Sequence, residues 1–147
     1  MEYHHSQIGT VIIAGLLTPL VAIFVVPFFT GAFLPVFMIV PLVLAVSLLF
    51  FYSLNVDIKD GILVCSFGIG VIRKEIHLSE AREARAVKNP WALGWGIRWW
   101  PGQYWAWNVS GFDAVELVFR DGSRFRIGTD EPETLVRAIQ LNLGQTS

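Results

Sequence analysis

The chain contains few of the side chains on which enzymes and metal sites depend. Its single cysteine is Cys65, so the chain cannot form a disulfide with itself. No pair of histidines has metal-ligand spacing with a third ligand nearby; the three histidines are His4, His5 and His77. A formal net charge of −1 gives no general attraction for nucleic acid. We therefore predict a protein that is not an enzyme, with no catalytic residue, cofactor, metal site or nucleic-acid partner.

Charge is also absent from a long stretch near the N-terminus. After Glu2 the next formally charged residue is Asp57, and residues 8–52 are almost wholly apolar. A transmembrane helix needs about 20 apolar residues to cross a hydrocarbon core of about 30 Å, so this run is long enough for two. We predict two spans, at residues 8–29 and 33–52, which form an antiparallel transmembrane hairpin.

The connection between the predicted spans is the segment TGAFLP, residues 30–35, in which glycine and proline favour a turn. Pro19 and Pro41 fall inside the spans and are expected to bend them, which helices in lipid tolerate. The alternative is a buried helix pair in a soluble protein, but the remaining residues are too few to cover two helices that are apolar all round. Because MEYHHSQ has no Lys or Arg and no small-residue cleavage pattern follows, we do not expect a cleaved signal peptide.

Basic residues follow the second predicted span, whereas the connection between the spans has none. Lys59, Arg73 and Lys74 come after the second span, and basic residues near span ends favour the cytoplasmic side. The lone Cys65 agrees with that compartment. We expect a multi-pass protein of the cytoplasmic (inner) membrane with both termini in the cytoplasm.

The residues after the hairpin have the patterns of short strands. We predict a hairpin anchor over residues 1–53 and one cytoplasmic domain over residues 54–147. Apolar residues alternate through residues 54–59, and Asp60-Gly61 is a pair favoured in tight turns between strands. Further strands are predicted, at residues 62–67, 71–76, 104–109 and 114–119 and around Phe125 and Ile127. Residues 78–87 fit either a helix or a strand.

The C-terminal pattern predicts one amphipathic helix. Asp130 can cap this helix together with Glu133, and Pro132 lies in the first turn, where proline is tolerated. An apolar stripe follows at helical spacing, formed by Leu135, Val136, Ile139 and Leu143. Such a stripe packs on a sheet or closes the open end of a barrel.

About seven antiparallel strands followed by one amphipathic helix are typical of a pleckstrin-homology-like (PH-like) barrel. The chain resembles the bacterial membrane proteins that join a transmembrane hairpin to a bacterial PH-like domain. The resemblance is carried by the hairpin and by the segments FYSLNVDIKDGILVCSFGIG, NPW…GWGIR and FRIGTDEPETLVRAI. It implies a membrane α-helical hairpin joined to an α+β PH-like domain, and it implies no set of catalytic residues.

All six tryptophans lie within residues 89–108. They could fill the domain core, sit at a membrane surface or bind a partner, and six rings exceed what a small core needs. Tryptophan is enriched at membrane interfaces, and tryptophan and arginine are enriched in binding hot spots. We predict that membrane or partner contact involves six residues, which are Arg73, Lys74, Trp95, Arg98, Trp99 and Trp100.

These patterns favour a non-catalytic protein that presents a PH-like domain at the cytoplasmic membrane surface for protein interaction, scaffolding or regulation. Its expected partners are the bilayer and either another membrane protein or a second copy of the chain. The alternative is a module that recognises anionic lipid headgroups through the Trp-rich segment and its neighbouring cations.

Overall fold

The structure is a computed structural model that describes residues 2–31 and 35–144. The described residues form an α+β structure with three helices and nine strands in two sheets. The helices are α1 (Thr10–Thr30), α2 (Val36–Phe51) and α3 (Pro132–Gly144). The strands are β1 (Tyr3–Ile8), β2 (Ser53–Lys59), β3 (Ile62–Phe67), β4 (Ile72–His77), β5 (Ala81–Lys88), β6 (Gly96–Trp100), β7 (Tyr104–Asn108), β8 (Asp113–Phe119) and β9 (Arg124–Gly128).

The two N-terminal helices are apolar along their whole length and pack on each other. With 21 residues, α1 is the one described helix long and apolar enough to cross a membrane; at about 1.5 Å per residue it is about 32 Å long. Helix α2 is also apolar but shorter, with 16 residues. Gly31 ends α1 in the left-handed conformation with φ 66°. Residues 32–34, at the predicted start of the second span, lie outside the described residues.

Sheet A has the order β1-β2-β3-β4, and all its pairs are antiparallel. The β2–β3 hairpin follows the prediction, since Asp60 and Gly61 both have positive φ, 51° and 75°, as a two-residue turn of this type requires. Strand β1 was not predicted. It precedes α1 and pairs with β2 along its whole length, from Tyr3↔Ile58 to Ile8↔Ser53. The sheet therefore draws strands from both sides of the helix pair.

Sheet B has the order β5-β8-β9-β7-β6. The ambiguous residues 78–87 form a short 3-10 turn, Leu78–Glu80, followed by β5. About seven strands were predicted for residues 54–147, and eight are described there, β2 to β9. The prediction that all of them are antiparallel is wrong, because β7 pairs with β9 in parallel. The parallel pair arises because the β8–β9 hairpin places β9 between β8 and β7.

The main core lies between the two sheets, with α3 against β5 and β8. Alternate residues of β2 and β3 point into it, and the helical stripe supplies Leu135 and Ile139, which are fully buried. The helix start differs from the predicted cap. The Asp130 carboxylate accepts a hydrogen bond from His5 Nε2 at 2.6 Å, and Thr129 Oγ1 accepts one from the Glu131 backbone N–H.

The strands of both sheets have one end close to the helix pair. The Gly9 N–H donates to the Tyr52 carbonyl at 2.7 Å, which joins the start of α1 to the end of α2. Gly68 has φ +48°, and a Cβ at this position would collide with the Leu49 and Phe50 carbonyl groups. We call this the helix-proximal end of the sheets, and the end with the Asp60-Gly61 turn the helix-distal end.

Candidate interaction surface

The six tryptophans occupy four different environments. One is in the core, because Trp107 is 7% exposed and its ring centroid lies 4.9 Å from that of Phe67 and 5.9 Å from that of Phe125. Trp107 thereby joins sheet B to sheet A. The prediction of contact residues had already left it out.

Two tryptophans lie at the helix-proximal end. The Asn89 N–H donates to the Phe112 carbonyl at 2.6 Å, which fixes the turn that carries Trp91 beside the β7–β8 loop. Trp95 Nε1 donates to the Gly111 carbonyl at 3.3 Å, and its half-buried ring packs on Phe112 with centroids 6.1 Å apart. That loop reaches α1, since the hydroxyl groups of Ser110 and Thr10 are 2.9 Å apart.

Exposed apolar side chains collect around the base of the helix pair. Trp91 is 81% exposed, although it is not among the six predicted contact residues. On the sheet A side, the loop at Gly68 presents two more exposed apolar residues. We call these side chains the apolar collar, which consists of Ile8, Ile69, Val71, Trp91 and Phe112. A collar of this kind is typical of a surface that contacts lipid or protein.

A second exposed group lies on β6 and β7. The exposed rings of Trp99 and Trp105 are directly opposite each other in the β6–β7 pairing, with centroids 6.3 Å apart. Ile97 lies on the same side of β6, since side chains alternate along a strand. We call Ile97, Trp99 and Trp105 the aromatic edge. Neither exposed ring belongs to the main core, whereas Trp107 on the same face does.

The sixth tryptophan, Trp100, contacts Tyr104, which borders an ionic cluster on the outer face of sheet B. Trp100 stacks on Tyr104 with an interplanar angle of 9°, and the Arg126 guanidinium lies 3.7 Å from the Tyr104 ring centroid. Arg126 Nε donates to Glu116 Oε2 at 2.8 Å, and its Nη1 donates to Asn89 Oδ1 at 3.3 Å. The cluster thus ties the loop that carries Trp91 to the sheet.

Glu116 at the centre of this cluster is fully buried. Its Oε1 also accepts hydrogen bonds from Arg85 Nε and Nη2. Burial by itself raises the pKa of Glu116, but the hydrogen bonds from Arg85 and Arg126 and their charges lower this pKa below its ordinary value. The carboxylate therefore stays ionised at neutral pH, and its arrangement is that of a structural ion cluster.

The predicted cations are distributed over two sheets. Arg98 on β6 is exposed, and its Nε donates to the Trp95 carbonyl at 3.2 Å, so these two predicted residues are in contact. Arg73 and Lys74 are exposed on β4 of sheet A. Arg73 Nε is 4.0 Å from a Glu75 carboxylate oxygen, and Lys74 Nζ is 4.6 Å from the Phe125 ring centroid.

The groups considered for chemistry have structural surroundings. Cys65 is buried on β3, and burial raises the pKa of its thiol, which keeps the thiol protonated and unreactive. His4 pairs with Asp57 on the neighbouring strand. Over residues 2–31 and 35–144, no group of three His, Cys, Asp or Glu side chains could hold a metal ion.

Sequence reasoning missed the ionic cluster, and none of the collar residues is among the predicted contact residues. The sequence holds one signal for the cluster, because Glu116 is a charged residue between Val115 and Leu117 in a predicted strand. In the structure its cross-strand neighbours are Arg85 and Arg126. That pairing register is not visible in the sequence. The collar residues Ile69, Val71 and Phe112 are isolated apolar residues in loops, and only their position beside the helices distinguishes them.

Comparison of the chain with protein-family models gives no match, and comparison with curated proteins gives none either.

Proposed function

We propose that this chain is an integral membrane protein in which α1 and α2 form a transmembrane hairpin. The hairpin holds a PH-like, strand-rich domain with its helix-proximal end at the level of the lipid headgroups. The domain is not catalytic. It presents a surface for protein interaction and acts in scaffolding or regulation. The observation that carries this proposal is the apolar collar around the base of the helices.

The collar supports this placement through its composition and position. Tryptophan at a membrane interface places its apolar rings in lipid and its indole N–H near water. Trp91 and Phe112 lie on the sheet B side of the helix base, and Ile69 and Val71 lie on the sheet A side. Exposed apolar groups on both sides of one base fit a planar apolar surface better than a single compact partner.

The pairing of β1 with β2 supports the hairpin arrangement. β1 runs directly into α1, and α2 runs directly into β2. The start of α1 and the end of α2 therefore meet at one sheet. Two antiparallel spans would require this. The 16 residues of α2 give a helix of about 24 Å, a mismatch that local thinning of the bilayer can accommodate. Lys59, Arg73 and Lys74 favour the cytoplasmic side for the domain.

Recognition of anionic lipid headgroups is the second candidate. Arg98 favours it, because this exposed guanidinium is fixed beside Trp95 at the helix-proximal end. Arg73 and Lys74 support it less, because they lie on the other sheet and have contacts of their own. Headgroup binding would weaken with added salt, whereas insertion of the hairpin would not.

Site-directed cysteine labelling tests the anchor. The native Cys65 is buried, so a new exposed cysteine would be the one labelled by a membrane-impermeant maleimide. Thr30→Cys places a thiol at the end of α1 that is remote from the domain, and Ser79→Cys places one at the helix-distal end of the sheets. Unsubstituted protein serves as the control.

In inverted bacterial inner-membrane vesicles we expect Ser79→Cys to be labelled and Thr30→Cys to be protected. Right-side-out vesicles should give the reverse. Labelling of both thiols from the same side would contradict the hairpin, and reversal of both patterns would contradict only the cytoplasmic placement.

A further inference from the structure

Strand β6 is an unpaired edge of sheet B within the described part of the chain. Edge strands offer backbone N–H and C=O groups to any extended segment, and proteins protect such edges with charges or by covering them. β6 has one charged residue, Arg98, between the apolar residues Ile97 and Trp99. Its side chains are mostly exposed.

The other sheet edges have more protection. β5 packs against α3 and carries several charges in the sequence AREARAVK. β4 presents three charged residues in a row, Arg73, Lys74 and Glu75, and β1 presents the polar sequence HHSQ. Strand β6 is therefore the edge best suited to accept another strand.

The two sides of β6 differ in chemistry. Ile97 and Trp99 point to one side, where Trp105 extends the aromatic edge, and Arg98 points to the other. A strand added to β6 would place alternate side chains against the aromatic edge and against the Arg98 guanidinium. Apolar residues complement the first position and a carboxylate complements the second.

We propose that β6 binds an extended segment of another protein in which apolar and acidic side chains alternate. Backbone hydrogen bonds to β6 supply affinity, and the alternating side chains supply specificity. This inference specifies the partner class of the interaction role proposed above and rests on that role. It does not depend on which lipid the collar contacts.

A second copy of the chain fits this edge poorly. Antiparallel pairing of β6 with itself over all five residues would place Arg98 opposite Arg98, and like charges directly opposite each other are destabilising. It would also place the helix-proximal end of one copy beside the helix-distal end of the other. The two hairpins would then point in opposite directions and could not share one bilayer.

The test is a peptide selection on the full chain in lipid nanodiscs. A library of random linear peptides is selected against wild type, Arg98→Glu and a control, Arg82→Glu, which reverses an exposed charge on β5. Near-ultraviolet circular dichroism checks the fold of each protein. We expect wild type and Arg82→Glu to enrich peptides with alternating apolar and acidic residues, and Arg98→Glu to enrich alternating apolar and basic residues.

For one enriched acidic peptide, Arg98→Glu should weaken binding by about tenfold or more, and Trp99→Ala by a similar factor, whereas Arg82→Glu should change it by less than about twofold. Failure to enrich this class of peptide, or enrichment that is the same on Arg98→Glu as on wild type, overturns the inference. The labelling experiment judges the anchor separately, so failure of the peptide selection alone leaves the membrane proposal standing.

Discussion

Replacement of Glu116 by glutamine removes the negative charge that two arginines share on the outer face of sheet B. Glutamine can keep one acceptor oxygen, but its amide group would direct a donor at an arginine donor. The Arg126 side chain is 14% exposed and would remain as a poorly paired buried charge, whereas that of Arg85 is 50% exposed and can turn toward water. Most of the loss of stability therefore comes from the contacts of Arg126.

The expected fall in the free energy of unfolding follows from the hydrogen bonds that are lost. A hydrogen bond to a charged group contributes about 1.5–3 kcal/mol, and loss of one partner from a buried ion pair costs about 3–5 kcal/mol. With the half-exposed Arg85 discounted for solvent screening, we expect Glu116→Gln to lower the free energy of unfolding by about 2–4 kcal/mol. In a domain of this size that corresponds to a fall in Tm of roughly 10–25 °C.

Thermal unfolding in mild detergent, followed by near-ultraviolet circular dichroism, measures this change. Glu83→Gln is the matched control, because it neutralises an exposed carboxylate on the neighbouring strand β5 and should cost less than about 0.5 kcal/mol. The double variant Glu116→Met/Arg126→Met removes both charges and should recover part of the loss. A Tm for Glu116→Gln within about 2 °C of wild type would refute the assignment of a stabilising role to this cluster.

The Glu116 carboxylate also makes the stability of the folded protein depend on pH. Because the pKa of Glu116 is lowered in the folded protein, its stabilisation is complete above the unfolded pKa, near 4.5, and is lost as the pH falls further toward the folded value. We expect wild type to lose more stability than Glu116→Gln between pH 5 and the acid end of the titration. Parallel stability curves for the two proteins would contradict this.

Two further predictions concern the junction and the thiol. Gly68→Ala should lower the free energy of unfolding by about 1–3 kcal/mol more than Gly70→Ala. Both glycines have positive φ, but only at Gly68 would a Cβ collide with backbone, at Leu49. Equal Tm values for the two variants would contradict that contact. Cys65 should react with a small maleimide only after denaturation, because its thiol is buried and its pKa is raised; rapid labelling of the folded protein, measured by mass spectrometry, would contradict that burial.

The elements that the sequence predicted well depend on neighbours close in the chain. The β2–β3 hairpin has alternating residues around Asp60-Gly61, and α3 has an apolar stripe at helical spacing. The strands missed by prediction depend on distant partners. β1 reads as a polar segment until β2 pairs with it across the two helices, and β6 lies in a segment broken by Gly94 and Gly96.

The sequence indicated which residue types form the candidate surface, but not how the tryptophans divide among different environments. Clustering of the tryptophans indicated a contact segment, whereas their division among the helix-proximal end, the aromatic edge, the ionic cluster and the core depends on contacts between distant residues. The β6–β7 pairing places Trp99 opposite Trp105, and the hydrogen bond from Asn89 to Phe112 fixes the turn that carries Trp91. Burial of Glu116 depends in the same way on strands that bring Arg85 and Arg126 to it.

The most direct test of the account is the membrane depth of individual tryptophans. Tryptophan fluorescence is measured in vesicles whose lipids carry bromine either near the headgroup or deep in the acyl chain. The position of Trp91 and Trp95 at the helix-proximal end predicts strong quenching by the shallow bromine. The double variant Trp91→Phe/Trp95→Phe should largely abolish this quenching, and the matched variant Trp99→Phe/Trp105→Phe should leave it intact. Absence of quenching at either depth, or quenching that survives Trp91→Phe/Trp95→Phe, would contradict placement of the helix-proximal end at the bilayer surface.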